Sequence, residues 1–490
     1  MFLIFLSSGL FLGWSLGAND AANVFGTAVG TKMIRFRTAA ILCSLFVLLG
    51  AVIGGQGTTD TLNTLGGVDI LAGAFTVAMI AAFTVFLMTR AGIPVSTSQA
   101  IVGAIIGWNL FVGYQTESQT LTKILSSWVL CPLLSAIFGI LIFLPFKALM
   151  ERTSIHLLTR DLMVRWGLIL VGSFGAYSLG ANNIANVMGV FVSSSPLTAF
   201  NLFGIWNVSP VVQLFFIGGI AISVGVFTYS HRVMKTVGQG LFKLSPEVAL
   251  IVILAQALVL FLFSSEKLEY WLLSHNLPAL PLVPVSSTQA VIGAITGIAL
   301  FKGGGGIRFK VLGKISSGWL LTPLFAMVLT FISLFVVENV FDQTVYKDYS
   351  YHINEEVIME LQQKGLDVEY LNTITDKRFS GLHELKRNLK QAYSTSQVHQ
   401  VAAYSKLVNI NIDSHKLKKL EEKMLLDKPQ IESLRKIENK HFDYTWQLKK
   451  QLVELSPSWK KKEESRINRI FNKDISTKLD YITNYFSEVN

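Results

Sequence analysis

A short polar stretch inside an apolar run constrains this chain more than any other feature. Residues 2–29 are largely apolar, yet they contain the stretch GANDAAN at residues 17–23. An ionisable side chain such as Asp20 is costly at mid-membrane depth and by default indicates a functional site. The stretch returns 163 positions later as GANNIAN at residues 180–186. The sequence therefore predicts a duplicated membrane protein with polar groups inside its helices.

Composition and hydropathy support a membrane-spanning architecture. The 490 residues are 51% hydrophobic and 15% charged, and the mean hydropathy of +0.48 excludes an ordinary soluble enzyme. A helix needs about 20 apolar residues to cross a bilayer. Ten apolar segments precede residue 345, at about 2–30, 38–56, 69–89, 93–113, 120–147, 163–192, 209–229, 246–264, 282–301 and 314–337. The segments at 93–113 and 282–301 are short and interrupted by polar residues, so broken spans and re-entrant hairpins both stay open.

Basic residues concentrate in alternate loops and predict the topology. Cytoplasmic loops of membrane proteins carry an excess of Lys and Arg. The loops at 57–68 and 193–208 contain neither residue type. If all ten segments cross, each half has five spans, so the halves have opposite orientations and the N-terminus lies outside. The basic loops are formed by Lys32, Arg35 and Arg37; Lys147, Arg152, Arg160 and Arg165; Arg232, Lys235 and Lys243; and Lys302, Arg308 and Lys310.

A second repeated motif supports the duplication independently. PVSTSQAIVGAIIG at residues 94–107 returns as PVSSTQAVIGAITG at residues 284–297, and nine of these fourteen positions are identical. Paired interruptions in the two halves of a transporter are the best sequence indication of its substrate site. We therefore expect an all-α polytopic membrane protein. It would have two inverted-topology repeats of about five segments each, at residues 1–150 and 160–340, with broken helices or re-entrant hairpins.

The C-terminal part of the chain has a different composition. Residues 345–490 place apolar residues at helical spacing among Lys and Glu, as from Leu417 to Leu426. This pattern is typical of a soluble, mostly helical domain. Pro429 and the Ser-Pro-Ser at 456–458 divide it into shorter pieces. Its side of the membrane depends on how many segments cross, and regulatory, oligomerising and purely structural roles all stay open.

The GAND-type stretches have the chemistry of a cation site. We expect each helix to break there, because Gly17 and Gly180 permit a tight turn or a close backbone approach. A broken membrane helix persists only where it lines a polar cavity or is buried in protein. Packing by small residues explains the Gly and Ala but not the carboxylate and carboxamides. The predicted cation-binding residues are Asp20, Asn19, Asn23, Asn182, Asn183 and Asn186.

The second motif has the chemistry of an oxyanion site. Its hydroxyl side chains stand at the predicted start of a helix, where free N–H groups and partial positive charge attract anions. Ordinary helix capping is the alternative for a single copy. Ser96, Thr97, Ser98, Ser286, Ser287 and Thr288 would donate hydrogen bonds to a tetrahedral anion, and Gln99 and Gln289 would orient it. No Lys or Arg lies within the motif, so a co-transported cation beside Asp20 would compensate the charge.

At these residues the sequence resembles the inorganic phosphate transporter family of sodium- or proton-coupled permeases. The resemblance covers about residues 1–340. It implies an inverted-repeat transporter in which the two stretches and the two Pro-Val-Ser motifs form the phosphate and cation sites. Two departures matter: the family commonly has Asp where Asn183 stands, and often has His where Gln99 and Gln289 stand. The first leaves a second cation site and the stoichiometry open, and the second favours Na⁺ over a proton relay.

These features predict a secondary active transporter rather than an enzyme. We expect Na⁺-coupled symport of inorganic phosphate by alternating access, in a multi-pass protein of the cell (inner) membrane. No cofactor is expected, no metal beyond Na⁺ and no nucleic-acid partner, and a homodimer is one option for the assembly. Sulfate or another oxyanion and H⁺ coupling are the alternatives within the class. An anion channel, or a sensor whose output is the tail, are the alternatives outside it.

Overall fold

The computed structural model describes residues 2–90, 95–152, 156–202, 206–231, 233–234, 244–304, 309–422, 426–463 and 468–487. The chain divides into two compact units, Met1–Tyr346 and Lys347–Asn490. Pro94 of the second motif and the loop residues Arg232, Lys235, Lys243 and Arg308 lie outside the described residues.

The first unit is helical. Its helices are α1 (Phe2–Gly30), α2 (Phe36–Gly54), α3 (Gln56–Leu65), α4 (Leu71–Arg90), α5 (Thr97–Val112), α6 (Ser118–Arg152), α7 (Leu157–Met188), α8 (Pro210–Thr228), α9 (Pro246–Ser264), α10 (Glu266–Ser274), α11 (Ser287–Phe301) and α12 (Phe309–Asn339). A 3₁₀ turn, Gly189–Phe191, follows α7, and strands β1 (Phe200–Leu202) and β2 (Trp206–Val208) pair antiparallel.

Eight helices of the described chain are long and apolar enough to cross a membrane. They account for eight of the ten predicted segments. The other two segments form α5 and α11, of 16 and 15 residues. At 1.5 Å per residue, α5 is about 24 Å long, which is shorter than the hydrocarbon core of about 30 Å. These two helices are therefore too short to span a bilayer by themselves.

The predicted breaks at the GAND-type stretches are wrong. Helix α1 continues without interruption through residues 17–23, and α7 continues through residues 180–186. An α-helix satisfies its own backbone hydrogen bonds, so polar side chains alone do not oblige it to break. Gly17 and Gly180 permit close helix packing instead of a turn. A methyl group on Gly17 would overlap the backbone of Ile222, and one on Gly180 would overlap that of Val47.

The helices of the first unit pack in corresponding pairs. α2 packs on α7 as α8 packs on α1, and α6 packs on α11 as α12 packs on α5. The close approaches follow the same pairs. Gly103 of α5 lies against the backbone of Pro323, and Gly293 of α11 lies against that of Pro132. Gly103 and Gly293 are equivalent in the repeated motif, and each contacts a proline of a helix in the other half.

Both motif-bearing helices begin as the sequence predicts. Ser96 precedes α5 and its hydroxyl accepts a hydrogen bond from the N–H of Gln99 (3.4 Å). Ser286 precedes α11 and accepts from the N–H of Gln289 (3.2 Å). An N-cap of this kind satisfies one of the unpaired N–H groups of the first turn. The remaining N–H groups at each helix start stay available to a ligand.

The second unit contains helices and short strands. Its elements are β3 (Tyr351–Ile353), α13 (Glu355–Gln363), α14 (Glu369–Asn372), β4 (Lys377–Phe379), α15 (Leu382–Leu389), α16 (Thr395–Ser405), β5 (Ile410–Asn411), α17 (Ser414–Glu422), α18 (Lys428–Arg435), β6 (His441–Phe442), α19 (Thr445–Leu455), a 3₁₀ turn Pro457–Trp459 and α20 (Arg469–Phe486). β3 pairs antiparallel with β4, and β5 with β6.

The second unit holds one arrangement of elements twice. A strand, two helices, a second strand and two further helices occur in order from β3 to α16 and again from β5 to α20. Asp376 and Asn439 both have positive φ, and their N–H groups donate to the carbonyls of Ile353 (2.6 Å) and Ile412 (2.8 Å). These matching turns indicate a tandem duplication, which the hydropathy pattern did not reveal.

Candidate functional site

The polar residue clusters of the two repeats meet inside the first unit. Asp20, Ser96, Thr97, Ser98, Gln99, Asn182, Asn183, Asn186, Ser286, Ser287 and Gln289 are buried, whereas Asn19, Asn23 and Thr288 are partly exposed. Half of them have side chains in hydrogen bonds that join residues more than 80 positions apart in sequence, namely Asp20, Asn23, Ser98, Asn182, Asn186, Ser287 and Thr288. The fold thus gathers residues from both halves into one polar region.

One cluster joins α1 to the start of α11. Asp20 Oδ2 accepts a hydrogen bond from the hydroxyl of Ser287 (3.0 Å). The carboxamide of Asn23 donates to Ser287 Oγ (3.2 Å) and to Thr288 Oγ1 (3.4 Å). A carboxylate of the first half is therefore held directly by a hydroxyl of the second motif. Asn19 is the exception, because its carboxamide donates to the Ser15 carbonyl of its own helix (3.2 Å).

The corresponding cluster joins α7 to the start of α5. Asn186 Nδ2 donates to Ser98 Oγ (2.9 Å) and to Asn183 Oδ1 (3.0 Å). Asn186 is equivalent to Asn23, and Ser98 is equivalent to Thr288, in the two repeats. We call α1 and α7, which carry the GAND-type stretches, the signature helices, and α5 and α11, which begin at the second motif, the motif helices. The contact between a signature helix and a motif helix therefore occurs twice. The exception is Asn183, which is equivalent to Asp20. Its carboxamide forms hydrogen bonds within α7, whereas the Asp20 carboxylate accepts one from the motif hydroxyl of Ser287.

Val285 connects the two clusters through its backbone. Asn182 forms a pair of hydrogen bonds with it, donating to the carbonyl (2.7 Å) and accepting from the N–H (3.0 Å). The hydroxyl of Ser98 donates to the same carbonyl (3.2 Å). Asn182 therefore holds the backbone of Val285, the residue before the Ser286 cap of α11. Residue type alone had predicted Asn182 to be a cation ligand.

Three buried oxygens of the site have no protein hydrogen-bond partner within the described chain. They are Gln99 Oε1, Gln289 Oε1 and Asn186 Oδ1. A buried acceptor without a partner loses its hydration and gains nothing in return, at a cost of about 1–3 kcal/mol. Two of the three occupy the same position in the two repeats. Unpaired acceptors of this kind fit a ligand that supplies a proton or a cation.

The sequence did not indicate the contribution of α3. Residues 57–68 read as a loop without basic residues, yet Gln56–Leu65 form a helix in which Thr58 and Thr61 are buried. Thr58 donates to the carbonyl of Asn182 (3.5 Å), and Thr61 donates to that of Leu282 (2.5 Å). The available signal was the group of three threonines at positions 58, 59 and 61, close after Gly54, Gly55 and Gly57. α3 therefore packs beside the α7 cluster rather than lying on the surface.

The site has no cationic side chain among these contacts. Arg90, at the end of α4, is exposed. No group of three or more His, Cys, Asp or Glu with the geometry of a metal site occurs in the described residues. Within the hydrogen-bonded clusters, Asp20 supplies the only carboxylate. The chemistry is that of neutral donors at two helix N-termini beside a single negative charge.

Comparison with known proteins identifies the family of this chain. The chain matches the phosphate transporter family over residues 16–161, 151–269 and 271–464. A protein of Methanocaldococcus jannaschii named as a phosphate permease is 27% identical over 65% of this chain and 91% of its own length. Sulfate permease CysP of Bacillus subtilis is 28% identical over 67% of this chain and 86% of its own.

A solved structure shares the fold. It is described as the sodium-dependent phosphate transporter, and it superposes with a TM-score of 0.54 at 23% identity, covering 69% of this chain and 98% of the other. With eight membrane-length helices in the described residues, the architecture is that of a multi-pass membrane protein. The family consists of transporters and not of enzymes. From the family match over most of its length, this chain belongs to the phosphate transporter family.

Proposed function

We propose that this protein is a Na⁺-coupled symporter of inorganic phosphate that works by alternating access in the inner cell membrane. The observation that carries the choice of phosphate is the pair of buried, unpartnered oxygens Gln99 Oε1 and Gln289 Oε1 beside two capped helix starts. Hydrogen phosphate can donate a hydrogen bond to such an acceptor. Sulfate is fully deprotonated and cannot, so it would leave both acceptors unsatisfied.

The anion would bind between the starts of α5 and α11. Each start offers free backbone N–H groups and the positive end of a helix dipole. The hydroxyls of Thr97, Ser98, Ser287 and Thr288 add donors, and Ser96 and Ser286 hold the helix starts as caps. This arrangement binds an oxyanion with neutral donors only. Such a site needs a compensating positive charge, which couples anion binding to cation binding.

The cation would bind at the signature helices. Asp20 uses one carboxylate oxygen for Ser287, which leaves its second oxygen for a ligand. Asn19 and Asn23 lie on the same partly exposed side of α1. On α7, the free oxygen of Asn186 is the corresponding ligand, with Asn183 holding its amide. Na⁺ prefers oxygen ligands of this type, and the absence of His from both motifs argues against a proton relay.

We also propose that residues 1–150 and 160–340 are the two repeats, in opposite orientations, followed by a separate domain from about residue 345. The exchanged packing of α2 on α7 and of α8 on α1 supports this division. So does the paired contact of Asn23 with Thr288 and Asn186 with Ser98. Two halves related in this way can rock about a shared site, as alternating access requires.

The test is uptake of radiolabelled phosphate into proteoliposomes, with and without an inward Na⁺ gradient and with excess sulfate. We expect uptake that depends on Na⁺ and resists sulfate. Asp20→Asn should abolish Na⁺-dependent uptake, because it removes the only carboxylate of the clusters. Asp161→Asn, at an exposed position of α7, is the matched control and should retain uptake. Uptake that sulfate abolishes would support the sulfate permease alternative, which the similarity to CysP favours.

A further inference from the structure

Helix α1 has a polar, partly exposed side in its second half, besides the apolar side that is exposed near its start. Near its start, Leu3 and Ile4 are 72% and 70% exposed, as expected for a side that faces lipid. In its second half the partly exposed residues are Asn19, Asn23 and Thr27, followed by Val29 and Gly30 in the last turn. Asn23, in the middle of the three polar residues, lies about 160° from Leu3 and about 100° from Ile4 around a helix of 3.6 residues per turn. The second exposed side therefore does not continue the lipid-facing side.

This second side faces the interior of the protein. Asn23 donates to Ser287 and Thr288 at the start of α11, and Asp20 on the same side accepts from Ser287. Thr288 is itself partly exposed. The partly exposed residues of both helices thus lie beside the site.

The same side stays polar to the end of the helix. Asn19, Asn23, Thr27 and Thr31 recur every four residues and are all partly exposed. Together they form a stripe about 18 Å long at 1.5 Å per residue. The stripe leads from the site to Lys32, the first residue of a basic loop, which is exposed.

The equivalent side of α7 is closed. The repeat offset of 163 positions relates Asn19, Asn23 and Thr27 to Asn182, Asn186 and Val190. These three residues are 0%, 0% and 4% exposed. The helix ends at Met188 and tightens into the 3₁₀ turn Gly189–Phe191, whose Phe191 ring is fully buried against Gly9 of α1.

We propose that Asn19, Asn23, Thr27 and Thr31 line the path between the site and the side of the Lys32 loop, and that Val190 and Phe191 close the equivalent path on the other side. This inference rests on the proposed transport function. Hydroxyls and carboxamides can replace part of the water around a passing ion. An apolar constriction excludes water and ions. The two repeats are then in different states, and transport requires them to exchange those states.

The experiment measures access to single introduced thiols in the full-length protein, in sealed membrane vesicles of either orientation. The reagent is a membrane-impermeant maleimide. Wild-type protein, whose Cys43 and Cys131 are buried, gives the background. Thr27→Cys should be labelled at least about tenfold faster than Thr84→Cys, since Thr84 is a fully buried threonine of α4 and reacts only when the structure opens. Lys32→Cys identifies the side from which the Thr27 position is reached.

The outcomes separate the path from the substrate. Val190→Cys should stay at background, and phosphate with Na⁺ should slow the labelling of Thr27→Cys. The inference is overturned if Thr27→Cys reacts no faster than Thr84→Cys, if it is reached from the side opposite Lys32→Cys, or if Val190→Cys reacts as readily. Labelling of Thr27→Cys that phosphate and Na⁺ do not slow would support the path and count against the proposed substrates.

Discussion

Replacing Gly17 by alanine tests whether close helix packing holds the site together. The added methyl would overlap the carbonyl group of Ile222 on α8, lying 2.8 Å from its carbon. Carbon atoms pack best at about 3.5–4.0 Å, and the carbonyl oxygen of Ile222 lies closer to the methyl than the carbon does. α1 and α8 would therefore have to separate by at least about 0.7 Å. Overpacking of this kind costs about 1–3 kcal/mol of stability.

The same displacement would disturb the cluster that joins α1 to the start of α11. The bonds from Ser287 to Asp20 and from Asn23 to Ser287 are 3.0 and 3.2 Å long. Lengthening either by about 0.7 Å would break it, and a hydrogen bond is worth about 1 kcal/mol. Losing both would weaken binding at the site by roughly tenfold or more. We therefore expect Gly17→Ala to lower both the thermal stability and the phosphate uptake of the protein.

Gly26→Ala is the matched control on the same helix. A methyl group there would lie 3.7 Å from its nearest neighbours, Ala22 and Met234, which is an ordinary contact. Alanine is favoured over glycine in a helix interior by up to about 1 kcal/mol, so this variant should be as stable as the wild type or slightly more. The assays are a thermal melt in detergent and uptake in proteoliposomes. If Gly17→Ala matches Gly26→Ala in both, the close approach of α1 to α8 is not what positions the site.

Two further predictions concern the second unit. Trp459 is buried and donates a hydrogen bond to Ser433 Oγ (2.7 Å), so Trp459→Ala should lower the free energy of unfolding of this unit by about 3–5 kcal/mol. The loss should appear as faster proteolysis of residues 347–490 in urea. Met359→Ala, at a 53% exposed site, is the control and should have little effect. Burial, aided by the charge of Lys386, lowers the pKa of His399. Because the unfolded chain then binds the proton more readily, local stability should fall as pH decreases through the unfolded pKa of about 6.5. Hydrogen exchange of the α16 amides in the full-length protein, corrected for the intrinsic exchange rate, should show this loss of stability at low pH. His399→Gln should remove the pH dependence. If the pH dependence is unchanged in that variant, His399 is not its cause.

Part of this organisation is encoded locally and is therefore visible in the sequence. Apolar segments, the two repeated motifs and the helix starts at Ser96 and Ser286 all depend on residues within a few positions of each other. The polar side chains at 17–23 and 180–186 are recognisable as candidate site residues because polar and ionisable groups inside a membrane are energetically costly. The class of protein, the duplication and the set of candidate residues follow from these local features.

The partners of those residues were decided by tertiary packing. Polarity at Asp20 and Asn23 did not reveal that α1 stays continuous, because a helix satisfies its own backbone whatever its side chains do. Nor did it reveal that each signature helix contacts the motif helix of the other half, since those contacts join residues far apart in the sequence. The difference in exposure between Thr27 and Val190 is a property of the whole conformation. Local sequence determines which residues are polar, and long-range packing determines which of them meet and which of them a solute can reach.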